Sequence, residues 1–427
     1  MRKKIVLLLF FISFCSVKDQ RLKILIHDSD LAGYIEIENE VIQIYANPKK
    51  KSKPEFRIKK EEIPLFEKMF SVLSPREIFQ NYSHGELSKF PDDVLNKIKT
   101  ESEKNLTTSK SPDKPLEGIK IAIDPGHFSM DSEGAKIDER YMSVELDGEK
   151  INFFEADLSL ATAKYLKSFL EKYGSEVFIT RQERGKSSYG MFYEDWLKDL
   201  EKIKNCLEER FFYHEEFKNH SFENFYATNC DIRNRAKMIN AFHPDLTIII
   251  HFNVDDFRNG LPSDKNYSLI FVPGSFLADE LRNKMDRIQF LRLFLTSHLQ
   301  DSILLSEKIE KQFNEYLKVP PLPQKLETEI IPTYTKHCVF VQDGIWARNL
   351  SLTRLVHSPL AYTEVLYQNN REELKNLSNL TEEIDGMKTS KRIKGAATAH
   401  FYGIVEYLHA KGNIDDVSKE RLLKDKF

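Results

Sequence analysis

The sequence predicts an α/β fold in which a mostly parallel, twisted sheet is flanked by helices. From residue 118 onward, short apolar runs typical of buried strands alternate with longer segments of helical periodicity. Strands separated by helices favour parallel pairing, with both faces of the sheet covered. Residues 22–56 instead alternate apolar and polar side chains, which predicts a small, β-rich N-terminal domain.

Each element of the larger domain is predicted from its local pattern. The predicted strands are residues 119–124, 177–180, 246–250, 267–272 and 358–367. The predicted helices are residues 156–174, 232–242, 303–317 and 391–410. In the first helix, apolar residues recur every three or four positions, and Gly174 suits the position just beyond a helix end.

Composition shifts divide the chain into segments. We predict a signal peptide at residues 1–15, an N-terminal domain of unknown role at 16–99 and a Ser/Thr/Lys-rich linker at 100–117. The larger domain spans 118–412 and precedes a C-terminal tail at 413–427.

Charge and the N-terminal segment limit the function classes. The formal net charge is −3, so the chain lacks the excess of positive charge that is typical of nucleic-acid binders. We therefore expect no nucleic-acid partner. Residues 2–4 are basic and precede an apolar stretch too short to span a bilayer, which predicts export to the periplasm or cell envelope. Cys15 lies where a lipid-modified cysteine would be, but Phe14 is bulky for the preceding position, so a membrane tether stays open.

The remaining cysteines do not form a metal site, because Cys206, Cys230 and Cys338 have no CxxC spacing. In an oxidising compartment Cys206 and Cys230 are either a disulfide pair or unpaired packing residues. The aromatic residues between positions 211 and 226 likewise serve either sugar stacking or core packing.

Four polar residues are predicted near the strand ends, where open sheets bind ligands. His127 follows the first strand of the larger domain, His251 follows the strand 246–250, and Glu364 interrupts an apolar strand. Glu155 precedes the first long helix. A set of two histidines and a carboxylate is typical of catalytic zinc sites, which leave one position for water. A lone histidine beside a strand is more often a packing residue, and the spacings match no local metal motif.

Four segments resemble, in order, the zinc-dependent N-acetylmuramoyl-L-alanine amidases of the amidase-3 type. They are IAIDPGH at 121–127, the helix segment 153–181, RNRAKMINAFHPDLTIIIHFN at 233–253 and the closing segment 343–370. The resemblance covers residues 118–410. It departs from the family at Phe128 and Ser129, which replace two glycines before a long polar loop to Asn152, and at Leu366, which also replaces a glycine. Compared with the family, two segments, 182–231 and 274–297, are long insertions.

The resemblance implies an exported Zn²⁺ enzyme that cleaves the amide bond between N-acetylmuramic acid and L-alanine in peptidoglycan. It implies zinc ligands His127, Glu155 and His251, with Glu364 as the catalytic carboxylate. Arg348 and Asn349 are either substrate-binding residues near the cleft or a solvated loop pair. Two alternatives stay open: a zinc hydrolase of the same fold acting on another amide, and an inactive wall-binding module.

The insertion 274–297 is the region where the resemblance implies regulation. Apolar residues at steps of three or four predict an amphipathic helix within 276–295. In regulated members of the family an insertion here covers the cleft and supplies a carboxylate to the zinc until a partner protein moves it. Asp279, Glu280 and Asp286 are the candidates for this autoinhibitory role, and the alternative is a helix that only thickens the domain.

Overall fold

The structure is a computed structural model that describes only part of the chain. The described residues are 20–27, 29–38, 40–49, 54–73, 77–78, 96, 113–131, 134–138, 141–213, 221–255, 261–325, 335, 337–425 and 427. The predicted signal peptide, Cys15 and most of the predicted linker lie outside these residues. Among the described residues, no helix is long and apolar enough to cross a membrane.

In the described part of the chain, the central sheet has seven strands in the order β10-β11-β9-β12-β8-β4-β7. These strands are β4 (Lys120–Pro125), β7 (Glu176–Ile179), β8 (Leu246–Asn253), β9 (Leu269–Val272), β10 (Val339–Gln342), β11 (Ile345–Ala347) and β12 (Leu360–Tyr367). Four of the neighbouring pairs are parallel, and β9 with β12 and β10 with β11 are antiparallel. The predicted mostly parallel sheet is therefore confirmed.

Helices cover both faces of this sheet. The described helices of the larger domain are α2 (Gly134–Asp138), α3 (Glu155–Lys172), α4 (Tyr193–Trp196), α5 (Leu200–Tyr213), α6 (Phe222–Phe225), α7 (Ile232–Phe242), α8 (Lys284–Leu295), α9 (His298–Glu315), α10 (Ser351–Leu355), α11 (Arg371–Ser378), α12 (Lys391–Ala410) and α13 (Asp416–Lys424), and α1 (Ile63–Val72) precedes them in the N-terminal region. On β8, Ile248 and Ile250 pack with α3, α9 and α12, while Ile249 packs with α7 and α10. This alternation explains why β8 is apolar at every one of these positions.

The polar loop predicted after Ser129 contains regular structure. It includes α2 and a hairpin of β5 (Tyr141–Leu146) and β6 (Glu149–Phe154), paired antiparallel. Asp147 and Gly148 connect the strands with φ values of 54° and 84°. Such a turn matches the twist of the two strands and favours glycine at its second position. The hairpin leads directly into α3.

The N-terminal region packs against the larger domain through the insertion 274–297. It contains a three-stranded antiparallel sheet of β1 (Ile35–Glu38), β2 (Val41–Ile44) and β3 (Phe56–Lys59), followed by α1. Residues 20–25 are helical, so the strand predicted there is wrong. The backbone N–H of His27 donates to the carbonyl of Phe276 at 3.0 Å, and that of Phe276 donates to Leu25 at 2.7 Å.

The helix predicted in this insertion is observed as α8. The prediction that it is amphipathic, with one exposed face, is wrong. Every residue from Met285 to Leu295 is buried. Apolar side chains of α8 share one core with β2, β3 and α1, and Arg287 forms an ion pair with Glu55 at 2.5 Å. Because the N-terminal region covers the outer face of α8, this helix is buried on all sides.

The insertion 182–231 forms a separate aromatic cluster beside the first histidine. Trp196 and Tyr226 are fully buried, with ring centroids 4.4 Å apart, and Phe128 packs against Tyr226. Cys206 and Cys230 form a disulfide at a Cα separation of 5.4 Å. The aromatic side chains of this segment that the structure describes therefore serve core packing.

Candidate metal centre

The four polar residues singled out by the sequence occupy neighbouring elements. His127 lies just after β4, and Glu155 is the first residue of α3. His251 and Glu364 are paired residues within the parallel strands β8 and β12, so their side chains point to the same face of the sheet. Each residue is thus positioned by the end of an element or by a rigid central strand.

His127, Glu155 and His251 form one compact group. Glu155 Oε1 lies 3.3 Å from His127 Nε2 and 2.8 Å from His251 Nδ1. One ligand atom from each of the three residues lies within 4.8 Å of the other two. Two imidazoles and one carboxylate at this spacing can hold a metal ion.

The electrostatics favour the protonation states that a metal requires. Burial alone would raise the pKa of Glu155, but the adjacent histidines hold this pKa well below its ordinary value. Burial lowers the pKa of His127, against the opposing effect of Glu155. Glu155 is therefore a carboxylate and His127 a neutral imidazole at neutral pH, which are the ligand forms of these groups.

The loop before His127 is constrained by close packing. A Cβ added to Gly126 would lie 2.3 Å from the His251 ring, so only glycine fits against this imidazole. His127 itself has a φ of +57°, a conformation that non-glycine residues seldom adopt. Such backbone strain persists only where surrounding contacts fix it.

Two buried arginines provide those contacts, and the sequence indicated no role at the site for Arg235. Arg235 donates to the carbonyls of Pro125 at 2.6 Å and His127 at 2.9 Å. Arg181 donates to the carbonyl of Gly126 at 2.9 Å. Arg235 also pairs with Asp124 at 3.1 Å, which explains the aspartate that begins the DPGH motif.

A further carboxylate supports the loop on its other side. Asp138, in α2, accepts hydrogen bonds from the backbone N–H groups of Phe128 at 3.0 Å and Ser129 at 2.9 Å. Phe128 and Ser129, which replace the family glycines, are thus held in place by hydrogen bonds from their backbone N–H groups to Asp138. Nothing in the local sequence pattern indicates this contact.

The group opens onto a cavity of about 320 Å³. Its lining residues are His127, Tyr141, Met142, Glu155, His251, Phe252, Asn253, Val254, Phe271, Arg348, Leu350, Tyr362, Glu364 and Gln368. The Tyr362 ring stacks on His251 with centroids 4.6 Å apart. The strand β12 has a register shift between Glu364 and Tyr367, a local irregularity of the kind found beside active sites.

The two predicted substrate-binding residues differ in position. Arg348 lines the cavity, with its guanidinium 5.1 Å from the centroid of Phe271. Asn349 does not line the cavity and lies beside Glu280.

The structure does not bring the three predicted autoinhibitory carboxylates to the group of His127, Glu155 and His251. Asp279 pairs with Arg282, and Glu280 accepts from the backbone N–H of Leu277 at 2.7 Å. Asp286 pairs with Arg354 at 3.0 Å. None of the three carboxylates lines the cavity. The helix that carries Asp286, α8, packs against the N-terminal region and α10.

Comparison with known proteins places the chain among amidases. Its residues 121–389 match the family model described as N-acetylmuramoyl-L-alanine amidase. No curated protein matches the sequence.

Similar solved structures have low sequence identity. The CwlD amidase from Clostridioides difficile, solved in complex with the GerS lipoprotein, is 17% identical with a TM-score of 0.39. AmiC2 of Nostoc punctiforme is 16% identical with a TM-score of 0.36. The alignments cover 69% of this chain and 100% and 99% of those chains, respectively. Because the family model spans well over half of the chain, this protein belongs to the N-acetylmuramoyl-L-alanine amidase family and is an enzyme of that class.

Proposed function

We propose that this enzyme cleaves the amide bond between N-acetylmuramic acid and L-alanine in peptidoglycan with a zinc ion held by His127, Glu155 and His251. The observation that carries the proposal is the convergence of these three ligands and Glu364 on one cavity. Two imidazole nitrogens and a carboxylate oxygen are the donor set of catalytic zinc sites with an open position. The residues present therefore fit the ion.

Bound zinc would supply Lewis-acid polarisation of the scissile carbonyl and would make water at the site more acidic. The protein's own residues keep the site in place. Arg181 and Arg235 fix the loop that carries His127, and the backbone N–H of Phe252 donates to Glu155 Oε1 at 3.1 Å. This hydrogen bond orients the carboxylate between the two imidazoles.

Glu364 is the group that moves the proton in this proposal. Its carboxylate accepts a proton from the water that attacks the lactyl carbonyl. It then donates that proton to the nitrogen of L-alanine, since an amine leaves readily only when protonated. Arg348, at the wall of the same cavity, binds a carboxylate of the stem peptide. We propose no role in substrate binding for Asn349.

The proposal places the enzyme in the cell envelope, where peptidoglycan is found. Export by the N-terminal segment and a lipid tether at Cys15 are parts of the proposal, and metabolic labelling with a fatty acid in Cys15→Ser and unaltered protein tests the tether. An activator protein would have to act otherwise than by withdrawing Asp279, Glu280 or Asp286, because none of these carboxylates lines the cavity.

Chemical identification of the released ends tests this function. The purified enzyme with zinc is incubated with intact sacculi, and the soluble products are analysed by mass spectrometry. We expect stem peptides with a free L-alanine amino terminus and glycan strands with free lactyl carboxylates. Peptides that begin at any other residue would show that a different amide is the substrate. An absence of soluble products would favour a wall-binding role.

A further inference from the structure

The β5–β6 hairpin has one buried and one exposed face. On the inner face, Val144 and Leu146 are buried in the main core, together with Phe153 of the partner strand. Residues of the outer face alternate with these and pair across the strands as Tyr141 with Phe154, Ser143 with Asn152 and Glu145 with Lys150. The inner contacts hold the hairpin rigidly on the domain, which leaves its outer face available to a ligand.

The outer face carries an ordered aromatic ring at the end nearest the metal ligands. Tyr141 is 44% exposed, and its ring lies over that of Phe154 with centroids 5.1 Å apart. The Tyr141 hydroxyl donates to Asn152 Oδ1 at 2.8 Å, which fixes the orientation of the ring. A ring that is exposed and held in one orientation offers a fixed apolar surface on which a ligand can stack.

This face is continuous with the catalytic cavity. Tyr141 lines the cavity together with His127 and Glu155. Phe154, which supports the Tyr141 ring, directly precedes Glu155 and is the residue at the N-terminal cap of α3. From Tyr141 to Glu145 the strand extends about 14 Å, at roughly 3.4 Å per residue. A ligand in the cavity can therefore extend along the outer face of the hairpin.

We propose that the outer face of the β5–β6 hairpin, formed by Tyr141, Ser143, Asn152 and Phe154, is a binding site for the glycan strand of peptidoglycan. The inference rests on the proposed function, because it assigns the sugar side of the same substrate. A pyranose ring has an apolar C–H face that stacks on an aromatic ring. Its hydroxyl and acetamido groups match the amide of Asn152 and the hydroxyl of Ser143.

Charge distinguishes this surface from the part of the cavity that suits the stem peptide. The Tyr141, Ser143, Asn152 and Phe154 side chains are uncharged, as a sugar ring is. The guanidinium of Arg348, in the same cavity, is positively charged and suits the carboxylates of the peptide. The hairpin thus binds the glycan, and the stem peptide lies toward Arg348.

Direct binding measurements separate this site from catalysis. Isothermal titration calorimetry is performed on the full-length, zinc-loaded protein with glycan strands from which the peptides have been removed, and separately with free stem peptide. We expect Tyr141→Ala to weaken glycan binding about 3- to 10-fold, because it removes the stacking contact. We expect Tyr141→Phe, which keeps the ring, to bind glycan within about twofold of the unaltered protein, and peptide binding to be unchanged in both variants.

Tyr316 offers a matched control, because it is 45% exposed and does not line the cavity. Tyr316→Ala should bind glycan as the unaltered protein does. In sacculus digestion, Tyr141→Ala should raise KM with little change in kcat, as expected for lost binding that is equal in ground and transition states. Thermal melting and zinc content show whether each variant is folded.

Two outcomes overturn the inference: equal glycan affinity in Tyr141→Ala and the unaltered protein, or an equal loss of affinity in Tyr316→Ala. If Tyr141→Ala weakens glycan binding but the released ends show cleavage of another amide, the proposed reaction fails and the glycan site stands. If cleavage occurs as proposed but glycan affinity does not depend on Tyr141, the reaction stands and the glycan site fails.

Discussion

At the scale of single residues, the loop that carries Gly126 and His127 combines a strained backbone with strong local restraints. His127 has a positive φ, and Gly126 is packed against the imidazole of His251. The carbonyls on either side are held by Arg181 and Arg235, which are both buried. Burial lowers the pKa of Arg181 to about 9, so this guanidinium is still charged at neutral pH. Contacts within the protein therefore fix the position of this loop.

Gly126→Ala tests this packing. The new Cβ would lie 2.3 Å from the His251 ring, so we expect loss of zinc and a decrease in the free energy of unfolding of about 1–3 kcal/mol. Zinc analysis and denaturant unfolding are the measurements. Gly395→Ala is the control, because its nearest neighbour would be a flexible leucine at 3.3 Å. Zinc binding by Gly126→Ala at unaltered affinity would contradict the packing argument.

Glu364→Gln tests the proton-transfer role. We expect the variant to fold and to retain zinc but to lose turnover by about 10²- to 10⁴-fold, because an amide cannot accept the proton of water. Glu310→Gln is a control at a second buried glutamate, which lies outside the cavity and whose pKa is raised to about 8 by burial. Near-normal turnover of Glu364→Gln would mean that another group is the base.

The sequence predicted the residues that face the cavity better than the residues that support them. His127, His251 and Glu364 were found because a polar side chain at the end of a buried strand, or within it, stands out against apolar neighbours. Arg181, Arg235 and Asp138 act through backbone carbonyls and N–H groups far away in the sequence. Such contacts depend on tertiary structure and leave no local pattern.

At the scale of elements, central strands and long helices were predicted well, because their apolar periodicity is strong. The predicted helix 156–174 is observed as Glu155–Lys172, and the predicted helix 391–410 as Lys391–Ala410. The β5–β6 hairpin was missed even though a usable signal was present. Asp147-Gly148 between two alternating segments is a strong local indication of a hairpin.

The Cys206–Cys230 disulfide gives a prediction for the insertion 182–231. The bond links residues separated by 24 positions, for which loop entropy predicts a stabilisation of roughly 3 kcal/mol. We expect Cys206→Ser/Cys230→Ser to be less stable by about that amount in denaturant unfolding. Cys338→Ser is the control, because Cys338 is not part of this disulfide. Equal stability of the double variant and the unaltered protein under oxidising conditions would exclude a stabilising bond.

At the scale of the whole molecule, α8 joins the N-terminal region to the catalytic domain. Its Arg287 pairs with Glu55, and its apolar residues share a core with β2, β3 and α1. The sequence could not predict this arrangement, because the N-terminal partners of α8 lie more than 200 positions away. The apolar pattern of α8 indicates which of its residues are buried, but it does not indicate which elements pack against them.

The other side of α8 contains a buried polar cluster that should make stability depend on pH. Arg292 donates to the carbonyl of Arg354 at 2.9 Å and contacts His298 at 3.0 Å. Burial and the nearby Arg292 lower the pKa of His298 to about 3. Burial, with Arg292, His298 and His243 nearby, also holds the pKa of His357 well below its ordinary value.

The unfolded chain protonates these two histidines near pH 6.5, whereas the folded chain does not. The free energy of unfolding should therefore fall as the pH drops below about 6.5, by up to about 1.4 kcal/mol per pH unit for each histidine. Denaturant unfolding from pH 7.5 to 5 in the presence of a chelator measures this slope without a contribution from metal loss. His298→Gln should have a shallower slope, and an unchanged slope would contradict the assignment.

In the proposed mechanism, amide hydrolysis depends on a single zinc ion held by His127, Glu155 and His251. Zinc is titrated into chelator-stripped enzyme, and the release of stem peptides from sacculi is measured. We expect no release without metal and a rise that reaches its plateau at about one zinc per chain, given one site with three protein ligands among the described residues. Full peptide release by the stripped enzyme would contradict it.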